Sequence, residues 1–471
     1  WVTLSGSADG SNAQELNRFK VNSALTIDTF LPFNRLVSRD QRIFMPVDLP
    51  FSQPFWLQGR TGRTGFFDLP GQNWVGVPTP PAALHAVAHY SVYSGKNKSS
   101  IQTRVDAMHR YTDPAEGERY RPLTVVPPLH LSFVDPIALH KGHEPIQLGV
   151  RLSSTTGMGS ISIQLDVPQG WKVEPQTHTL PSLNPGENRV VKFVVDASTH
   201  AEAGEARVRA TVDGREYTRD QIVLTYPHLP QLTLLPEARI PILRVGLEHQ
   251  PAKVAYVPGA GDEIPAALRA LGYEVTERPA GQWTPEMLKE FQTVVLGVRL
   301  VNTDEDYRKL YPMLRSFAHG GGTVVMQYQT SRGLLSDSLA PFRLQLGSQR
   351  TTVEEAPVQL LNADHPLLNR PNPINGVDFR GWVQERGLYY AARWDSTAAE
   401  ALLAMSDPGE KEQNGALVVG RVGRGWWVYT GLSLFRQLPA GVPGAFRLLT
   451  NLVELGRDGV PLIKKEEKTP R

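Results

Sequence analysis

Cysteine is absent from this chain of 471 residues. The absence excludes disulfides, thiolate zinc sites and cysteine nucleophiles. Long apolar runs are also missing, since no stretch approaches the ~20 residues that a transmembrane helix needs. Neither sign of charge is in large excess, because the chain has 49 Lys and Arg and 47 Asp and Glu, for a formal net charge of +2. We therefore expect no membrane span and no overall field that attracts nucleic acid.

Turn-forming residues, by contrast, are plentiful. The chain holds 41 glycines and 38 prolines, while hydrophobic residues still reach 41%. This combination favours β-rich globular domains with many turns over disorder. The length exceeds what one hydrophobic core serves, so about three domains are expected.

The periodicity of apolar residues predicts a multidomain β plus α/β protein. Residues 1–126 contain short strand-like runs, such as 42–47, and predict a β-sandwich-like domain that looks incomplete at its N-terminus. Clearer alternation over 127–228 predicts a second, immunoglobulin-like sandwich, with strands at 161–167, 190–195 and 206–212. The remaining predicted units are a Pro-rich linker at 229–241, an α/β domain at 242–458 and a charged tail at 459–471.

Strands alternate with helices in the predicted α/β domain. Buried strands are predicted at 253–257, 274–276, 293–298 and 323–328, and helices at 262–271, 284–291 and 307–319. Thr284 is the predicted N-cap of the second helix, and the glycines at 320–322 end the third. This order indicates a doubly wound parallel sheet of the flavodoxin-like type.

The strand at 323–328 ends in Gln327, Tyr328 and Gln329. It follows a Gly-Gly turn and resembles the strand that delivers the nucleophile in class I glutamine amidotransferases and their trehalose-utilisation relatives. The resemblance implies an amidotransferase-like domain. That family needs a cysteine at the strand-to-helix turn, and glutamine cannot replace a thiol nucleophile, so the covalent mechanism is excluded here.

Ligands of doubly wound sheets bind beyond the carboxyl ends of the strands. The candidate ligand-binding residues there are Gly259 and Gly261 after the first strand, Arg299 and Asn302 after the third, and Tyr328 and Gln329 after the fourth. The glycine pair is only a fragment of a dinucleotide fingerprint, and a tight turn explains it more simply.

A second set of candidates concentrates charge and aromatic rings in the last third of the chain. Its members are Asp378, Trp382, Arg386, Phe435, Arg436 and Gln437. Such side chains recognise sugars or carboxylates by stacking and by forked hydrogen bonds. The alternative is structural: Arg386 or Arg436 pairs with Glu385 or Asp378 and locks loops together.

Hydrolase and metal chemistry are the remaining alternatives. Ser331 and Thr330 offer hydroxyls, and His365 is the nearest candidate base in sequence. Asp364 with His365, and the histidines of the segment 140–144, could hold a metal, although a turn and a solvated loop explain them better.

Several longer motifs resemble known families. VPQGWKV at 167–173 and LNPGE at 183–187 resemble the immunoglobulin-like domain found in many secreted carbohydrate-active enzymes, usually a spacer or accessory module. EGERYRP at 116–122, DFRGWVQERGLY at 378–389, SDPGEK at 406–411 and YTGLSLFRQLPAGVPGAF at 429–446 resemble the non-catalytic portion of large secreted bacterial deacetylases of the PIG-L (LmbE-like) family.

The deacetylase resemblance implies an accessory role. In that family a separate domain removes acetyl groups from N-acetylglucosaminyl substrates, using zinc held by a His-Pro-Asp-Asp motif that this chain lacks. It implies an extracytoplasmic location, no cofactor in this chain, and a deacetylase domain or a glycan as partner. Two other hypotheses stay open: a hydrolase with an unrecognised site on the loops of the α/β domain, and a structural assembly module, with a homo-oligomer among the options.

Overall fold

The computed structural model describes residues 84–142, 144–226, 228, 229 and 231–457, and before them 2–7, 24–27, 49, 51–57, 67, 69, 71, 72, 75, 76 and 82. The first six strands described are β1 (Val2–Ser7), β2 (Ala24–Ile27), β3 (His85–Ser94), β4 (Asn97–Asp106), β5 (Met108–Asp113) and β6 (Gly117–Pro122). One sheet has the order β2-β1-β3-β4, and β5 and β6 form a separate hairpin. The strand predicted at 42–47 and the tail predicted at 459–471 lie outside the described residues.

A sandwich of two sheets follows. Its strands and the adjoining hairpin are β7 (Leu129–Phe133), β8 (Ala138–His140), β9 (Ile146–Ser154), β10 (Ile161–Asp166), β11 (Trp171–Glu174), β12 (His178–Leu180), β13 (Asn188–Ala197), β14 (Gly204–Val212), β15 (Arg215–Tyr217), β16 (Ile222–Leu224), β17 (Leu232–Leu234) and β18 (Arg239–Arg244). One sheet has the order β12-β10-β14-β18-β8 with β15 beside β14, and the other is β11-β13-β9-β7. The prediction of a β-sandwich is confirmed.

Alternation builds the core of this sandwich. Val191, Phe193 and Val195 of β13 are buried, as are Val208 and Ala210 of β14, while their neighbours along each strand face outward. Successive side chains of a strand point to opposite faces, so every second residue enters the space between the sheets. The strands predicted at 161–167, 190–195 and 206–212 are confirmed as β10, β13 and β14.

Strand β18 lies between two strands of the sandwich sheet, pairing antiparallel with β14 and parallel with β8. The boundary predicted at residue 242 falls inside this strand. Pro241 suggested a linker, but it lies within the strand, opposite Glu205 of β14.

The α/β region contains β19 (Lys253–Val257), α1 (Ile264–Ala270), β20 (Glu274–Glu277), α2 (Pro285–Leu288), β21 (Thr293–Leu296), α3 (Leu300–Thr303), α4 (Tyr307–Gly320), β22 (Thr323–Met326), β23 (Leu344–Leu346), β24 (Gln359–Leu360), α5 (Pro366–Asn369), β25 (Ala391–Trp394), β26 (Ala399–Ala401), β27 (Leu403–Ala404), β28 (Leu417–Val422), β29 (Gly425–Thr430), α6 (Leu434–Gln437) and α7 (Pro443–Glu454). Its main sheet has the order β20-β19-β21-β22-β29-β28-β26. The first five of these strands are mutually parallel, and β28 and β26 extend the sheet with antiparallel pairing.

Both faces of this sheet are covered. Val254 and Tyr256 pack in one core with α1 and α7, whereas Ala255 and Val257 pack in another with α4. Strands buried on both sides are apolar throughout, which is why they stand out in the sequence as continuous runs. The edge formed by the carboxyl ends of the parallel strands is left to the loops.

The second predicted helix is shorter than expected. Thr284 caps it through its Oγ1, which accepts from Met287 N at 3.3 Å, but the helix ends at Leu288 instead of residue 291. Lys289, Glu290 and Phe291 continue with hydrogen bonds to the third residue back, so the chain tightens into a 3-10-like turn. Gly321, with φ of +120°, ends α4 as predicted. Within the described part of the chain, no helix has the length and apolarity of a bilayer span.

The sandwich and the α/β region share one core. Ile137, Leu139 and Leu243 of the sandwich are buried in the same cluster as α1 and α7. The side chain of Arg447 on α7 adds hydrogen bonds to Gly246 O at 2.6 Å and Pro373 O at 2.7 Å. The connection between the two is therefore a packed junction.

Candidate ligand site on the loop face

The loops that follow β19, β21, β22 and β29 meet at the carboxyl edge of the sheet, here called the loop face. Arg299 N donates to Tyr328 O at 2.9 Å, which joins the loops after β21 and β22. Asn302 reinforces the joint, because its Oδ1 accepts from Thr330 N at 2.9 Å and its Nδ2 donates to Thr330 O at 3.2 Å. The structure thus brings Arg299, Asn302 and Tyr328 together, and Asn302 is occupied in holding the loops.

Three partly exposed rings form an aromatic shelf on the loop face: Tyr328, Tyr389 and Phe435. Tyr328 stacks on Tyr389 with centroids 5.9 Å apart and planes 9° apart. Tyr328 also lies 5.2 Å from Phe435, with planes tilted by 37°. A side-by-side set of half-buried rings is a surface on which an apolar sugar face can lie.

Two glycines allow the segment that carries Tyr389 to approach the segment that carries Phe435. Leu388 N donates to Gly431 O at 2.8 Å, and a Cβ added to Gly387 would lie 2.4 Å from that same oxygen. Gln437 ties the same two segments further, since its Oε1 accepts from Val383 N at 2.7 Å. Segment 383–389 is therefore fixed against segment 431–437, which carries α6.

Charged groups border the shelf. Arg436 Nε lies 2.5 Å from Glu385 Oε1, and Glu385 is only 7% exposed. Burial raises the pKa of Tyr328, and the positive charges of Arg299 and Arg436 oppose this shift. Both positive charges thus act on the Tyr328 hydroxyl.

Backbone strain concentrates around the shelf. Among the described residues, four other than glycine have positive φ, and three belong to the loop face: Arg299 at +58°, Gln384 at +69° and Tyr389 at +50°. Such conformations persist only where the surroundings enforce them, and they cluster at functional sites.

Residues 145–214 match the NPCBM-associated, NEW3 domain of alpha-galactosidase. The match spans β9 to β14 of the sandwich. No curated protein matches the chain closely enough to count as a relative.

Three solved structures show distant similarity. A protein from Thermoplasma acidophilum, described as part of a GMP synthase, is 8% identical over 44% of this chain and 96% of its own, with a TM-score of 0.30. An exo-beta-1,4-mannosidase of Opitutaceae bacterium strain TAV5 is 13% identical over 45% of this chain and 37% of its own, with a TM-score of 0.28. The alpha-2-macroglobulin of E. coli is 12% identical over 34% of this chain and 8% of its own, with a TM-score of 0.18. Similarities at these scores carry no conclusion about fold or function.

The other predicted ligand residues of the last third are buried. Trp382 is 3% exposed and packs in the core, where its Nε1 donates to Asp378 O at 3.0 Å. Arg386 is 5% exposed, and its guanidinium donates to the carbonyls of Ala356 and Phe379. Gln437 is fully buried between the two shelf segments. These placements favour the structural alternative for all three.

Asp378 has a different partner from the ones considered in the sequence. Its Oδ1 lies 2.8 Å from Arg447 Nε, and its Oδ2 accepts from Asn375 N at 2.9 Å, closing a capping box. Of the pairings named above, the structure contains Arg436 with Glu385. Arg386 relies on backbone carbonyls, and burial lowers the pKa of its guanidinium.

Three other candidates, Gly259, Gly261 and Gln329, serve local packing. A Cβ on Gly259 would lie 2.2 Å from Val298 O, and Gly261 has φ of +103°. Gln329 is fully buried, with its Oε1 accepting from Val301 N at 2.8 Å. Tight turns and loop bracing account for all three residues.

A neighbouring polar cluster was not predicted from the sequence. Gln327 Nε2 donates to Asp262 Oδ2 at 3.3 Å, and the buried Tyr256 hydroxyl and Gln327 Oε1 have no hydrogen-bond partner among the described residues. Burial raises the pKa of Tyr256, and the Asp262 carboxylate adds to this effect. The sequence pattern did not single out Tyr256 as a polar residue, because it lies inside an apolar strand.

The positions of His365 and Ser331 exclude the serine hydrolase alternative. His365 packs edge-on against Trp426, which pairs with Thr323 at the amino end of β22. Ser331 follows the carboxyl end of the same strand. The two residues therefore lie at opposite ends of the sheet, and His365 cannot serve as base for Ser331.

Two of the proposed metal-binding histidines, His140 and His365, have structural partners, and His143 lies outside the described residues. His140 is buried, and its Nε2 lies 3.1 Å from Asp196 Oδ1. His365 Nδ1 accepts from Leu367 N at 3.1 Å, while Asp364 is exposed. Across the described residues, no group of three or more His, Asp or Glu side chains could hold a metal ion.

The sandwich has a cavity of its own, of about 690 Å³. Trp171, Arg209 and Glu174 are among the residues that line it. Trp171 is only 7% exposed, and its Nε1 is bonded to Glu202 O at 2.7 Å. This cavity offers polar side chains, and its one ring is buried.

Proposed function

We propose that the chain is an accessory, non-catalytic protein that binds a glycan on the aromatic shelf of the loop face. The observation that carries the proposal is the shelf itself: Tyr328, Tyr389 and Phe435 lie together, partly exposed, beside Arg299 and Arg436. Aromatic faces and guanidinium groups are the side chains that hold sugar rings and their polar substituents. The sandwich acts as a spacer.

Two further lines support an accessory role in carbohydrate chemistry. The match of residues 145–214 is to a domain of alpha-galactosidase, a carbohydrate-active enzyme. The motifs at 378–389 and 429–446 resemble the non-catalytic portion of PIG-L deacetylases. We infer that the chain works beside such a deacetylase in an extracytoplasmic setting, with zinc expected only in the separate deacetylase domain.

We also infer a flavodoxin-like, amidotransferase-like fold for the α/β region. The order β20-β19-β21-β22-β29 places the first strand in sequence between the second and the third, and helices pack on both faces. In such sheets the loop face is the usual place for a ligand, which agrees with the position of the shelf.

A glycan array tests the proposal, with the wild type and two variants. Tyr389→Ala removes one ring of the shelf, and we expect its strongest array signals to fall about tenfold, the loss that corresponds to ~1.4 kcal/mol. Tyr111→Ala, on the exposed hairpin, is the control and should keep the signals. Equal signals for wild type and Tyr389→Ala, or no glycan bound by the wild type, would overturn the proposal.

A second candidate function is self-assembly, favoured by the hairpins near the N-terminus. Val92, Tyr93, Ile101, Val105 and Tyr120 are each about half exposed, at 49%, 61%, 52%, 56% and 57%. Exposed apolar side chains in such number mark interaction surfaces. Sedimentation velocity of the wild type and of Ile101→Lys checks this: a dimer that the variant converts to monomer supports assembly, and a monomeric wild type excludes it.

A further inference from the structure

Arg299 differs from the other arginine beside the shelf. Arg436 is engaged by Glu385 at 2.5 Å, whereas Arg299 has no carboxylate within ion-pair distance among the described residues. The side chain of Arg299 is exposed. The charge on Arg299 is therefore available to a ligand, while that on Arg436 is largely neutralised within the protein.

The backbone of Arg299 is fixed beside the shelf. Arg299 has φ of +58°, a left-handed conformation that is unfavourable for a residue with a side chain. Its N–H donates to Tyr328 O at 2.9 Å, so the loop that carries Arg299 is tied to the loop that carries one ring of the shelf. A ligand whose ring lies on the shelf would bring its substituents within reach of Arg299.

We propose that the ligand of the loop face is an acidic glycan, whose sugar ring lies on the aromatic shelf and whose uronate carboxylate is bound by Arg299. A planar guanidinium fork matches a planar carboxylate, and a charge-assisted bond of this kind is stronger than a neutral one. This inference rests on the proposed function and adds the chemical class of the glycan to it.

Titration calorimetry with matched ligands tests the inference. The ligands are oligouronates from galacturonate, glucuronate and alginate, each compared with its carboxyl-reduced, neutral counterpart. For at least one series, we expect the wild type to bind the acidic form about tenfold or more tightly than the neutral form. Added salt should narrow this difference, because the bond is electrostatic and partly exposed.

Three variants assign the difference to one residue. Arg299→Asn removes the charge and tolerates the left-handed backbone, and it should bind acidic and neutral forms alike. Arg299→Lys should retain part of the preference. Arg424→Asn, an exposed arginine at the opposite end of the sheet, should behave as wild type.

The outcomes separate the two proposals. A wild type that binds neutral glycans on the shelf without preferring the acidic forms would overturn the inference and leave the proposed function standing. A preference that survives Arg299→Asn would also overturn it. A wild type that binds no glycan of either kind would overturn both.

Discussion

At the scale of single residues, the arginines of the α/β region divide according to their partners. Arg386 is buried against backbone carbonyls, Arg447 pairs with Asp378, Arg436 pairs with Glu385, and Arg299 is exposed without a carboxylate partner among the described residues. The sequence indicated that arginines near 380 and 436 would recognise a ligand or lock loops. The partners could not be assigned from the sequence, because Arg447 and Asp378 are far apart along the chain and meet only through the packing of α7.

The pair of Arg447 and Asp378 should contribute strongly to stability. Arg447→Met leaves a carboxylate that is 8% exposed without its cation, so we expect a loss of roughly 3 kcal/mol in the free energy of unfolding. Urea unfolding followed by circular dichroism measures the loss. Arg424→Met removes an exposed arginine and should change stability by less than about 0.5 kcal/mol. Equal unfolding midpoints for the two variants would contradict this account.

At the scale of elements, apolar runs predicted the buried strands well. β19, β21 and β22 were expected because strands covered on both faces are apolar at every position. The antiparallel extension by β28 and β26 was not predicted, since local patterns do not specify a pairing direction. The shelf was predicted only in part: Tyr328 and Phe435 were candidates, while Tyr389 joins them through a contact between distant glycines.

The contact between Gly387 and Gly431 should be required for the shelf. Gly387→Ala places a Cβ 2.4 Å from Gly431 O, which forces the segments apart. We expect a loss of about 1–3 kcal/mol in unfolding free energy, together with weaker glycan binding as Tyr389 moves.

Gly376→Ala is the matched control, because a Cβ there meets nothing within 4 Å and the backbone is not left-handed. Chemical denaturation and calorimetric titration of both variants provide the comparison. A Gly387→Ala protein with wild-type stability and affinity would show that the segments can separate without cost.

The short helix α5 should make stability depend on pH through His365. Burial lowers the pKa of His365, and the nearby Glu400 carboxylate raises it to a lesser extent. As the pH falls below about 6.5, the unfolded chain takes up a proton at this imidazole before the folded chain does, so stability is lost with falling pH.

His365→Asn keeps a side-chain acceptor for Leu367 N but removes the titrating ring. We expect the difference in unfolding free energy between pH 7.5 and pH 5.5, the range of about one unit on either side of the ordinary imidazole pKa, to be smaller in this variant than in the wild type. Denaturant titrations at the two pH values measure it. A difference that stays unchanged would mean that His365 does not contribute to the pH dependence.

At the scale of the whole molecule, the packed junction joins the sandwich to the α/β region. Leu243 of β18 is 1% exposed in the core that also contains α1 and α7. The sequence predicted a linker up to residue 241, because prolines such as those found there are typical of exposed linkers. Long-range packing of this kind cannot be derived from local composition. The loop face and the sandwich cavity are consequently two separate surfaces of one joined body.

Hydrogen exchange of the wild type, with and without its best-binding glycan, tests the central claim most directly. The aromatic shelf and Arg299 lie on four segments of the loop face, so bound glycan should slow exchange in residues 299–303, 328–332, 384–389 and 433–437. Exchange in residues 164–176, beside the sandwich cavity, should stay unchanged. Protection confined to the sandwich, with none on the loop face, would contradict the account.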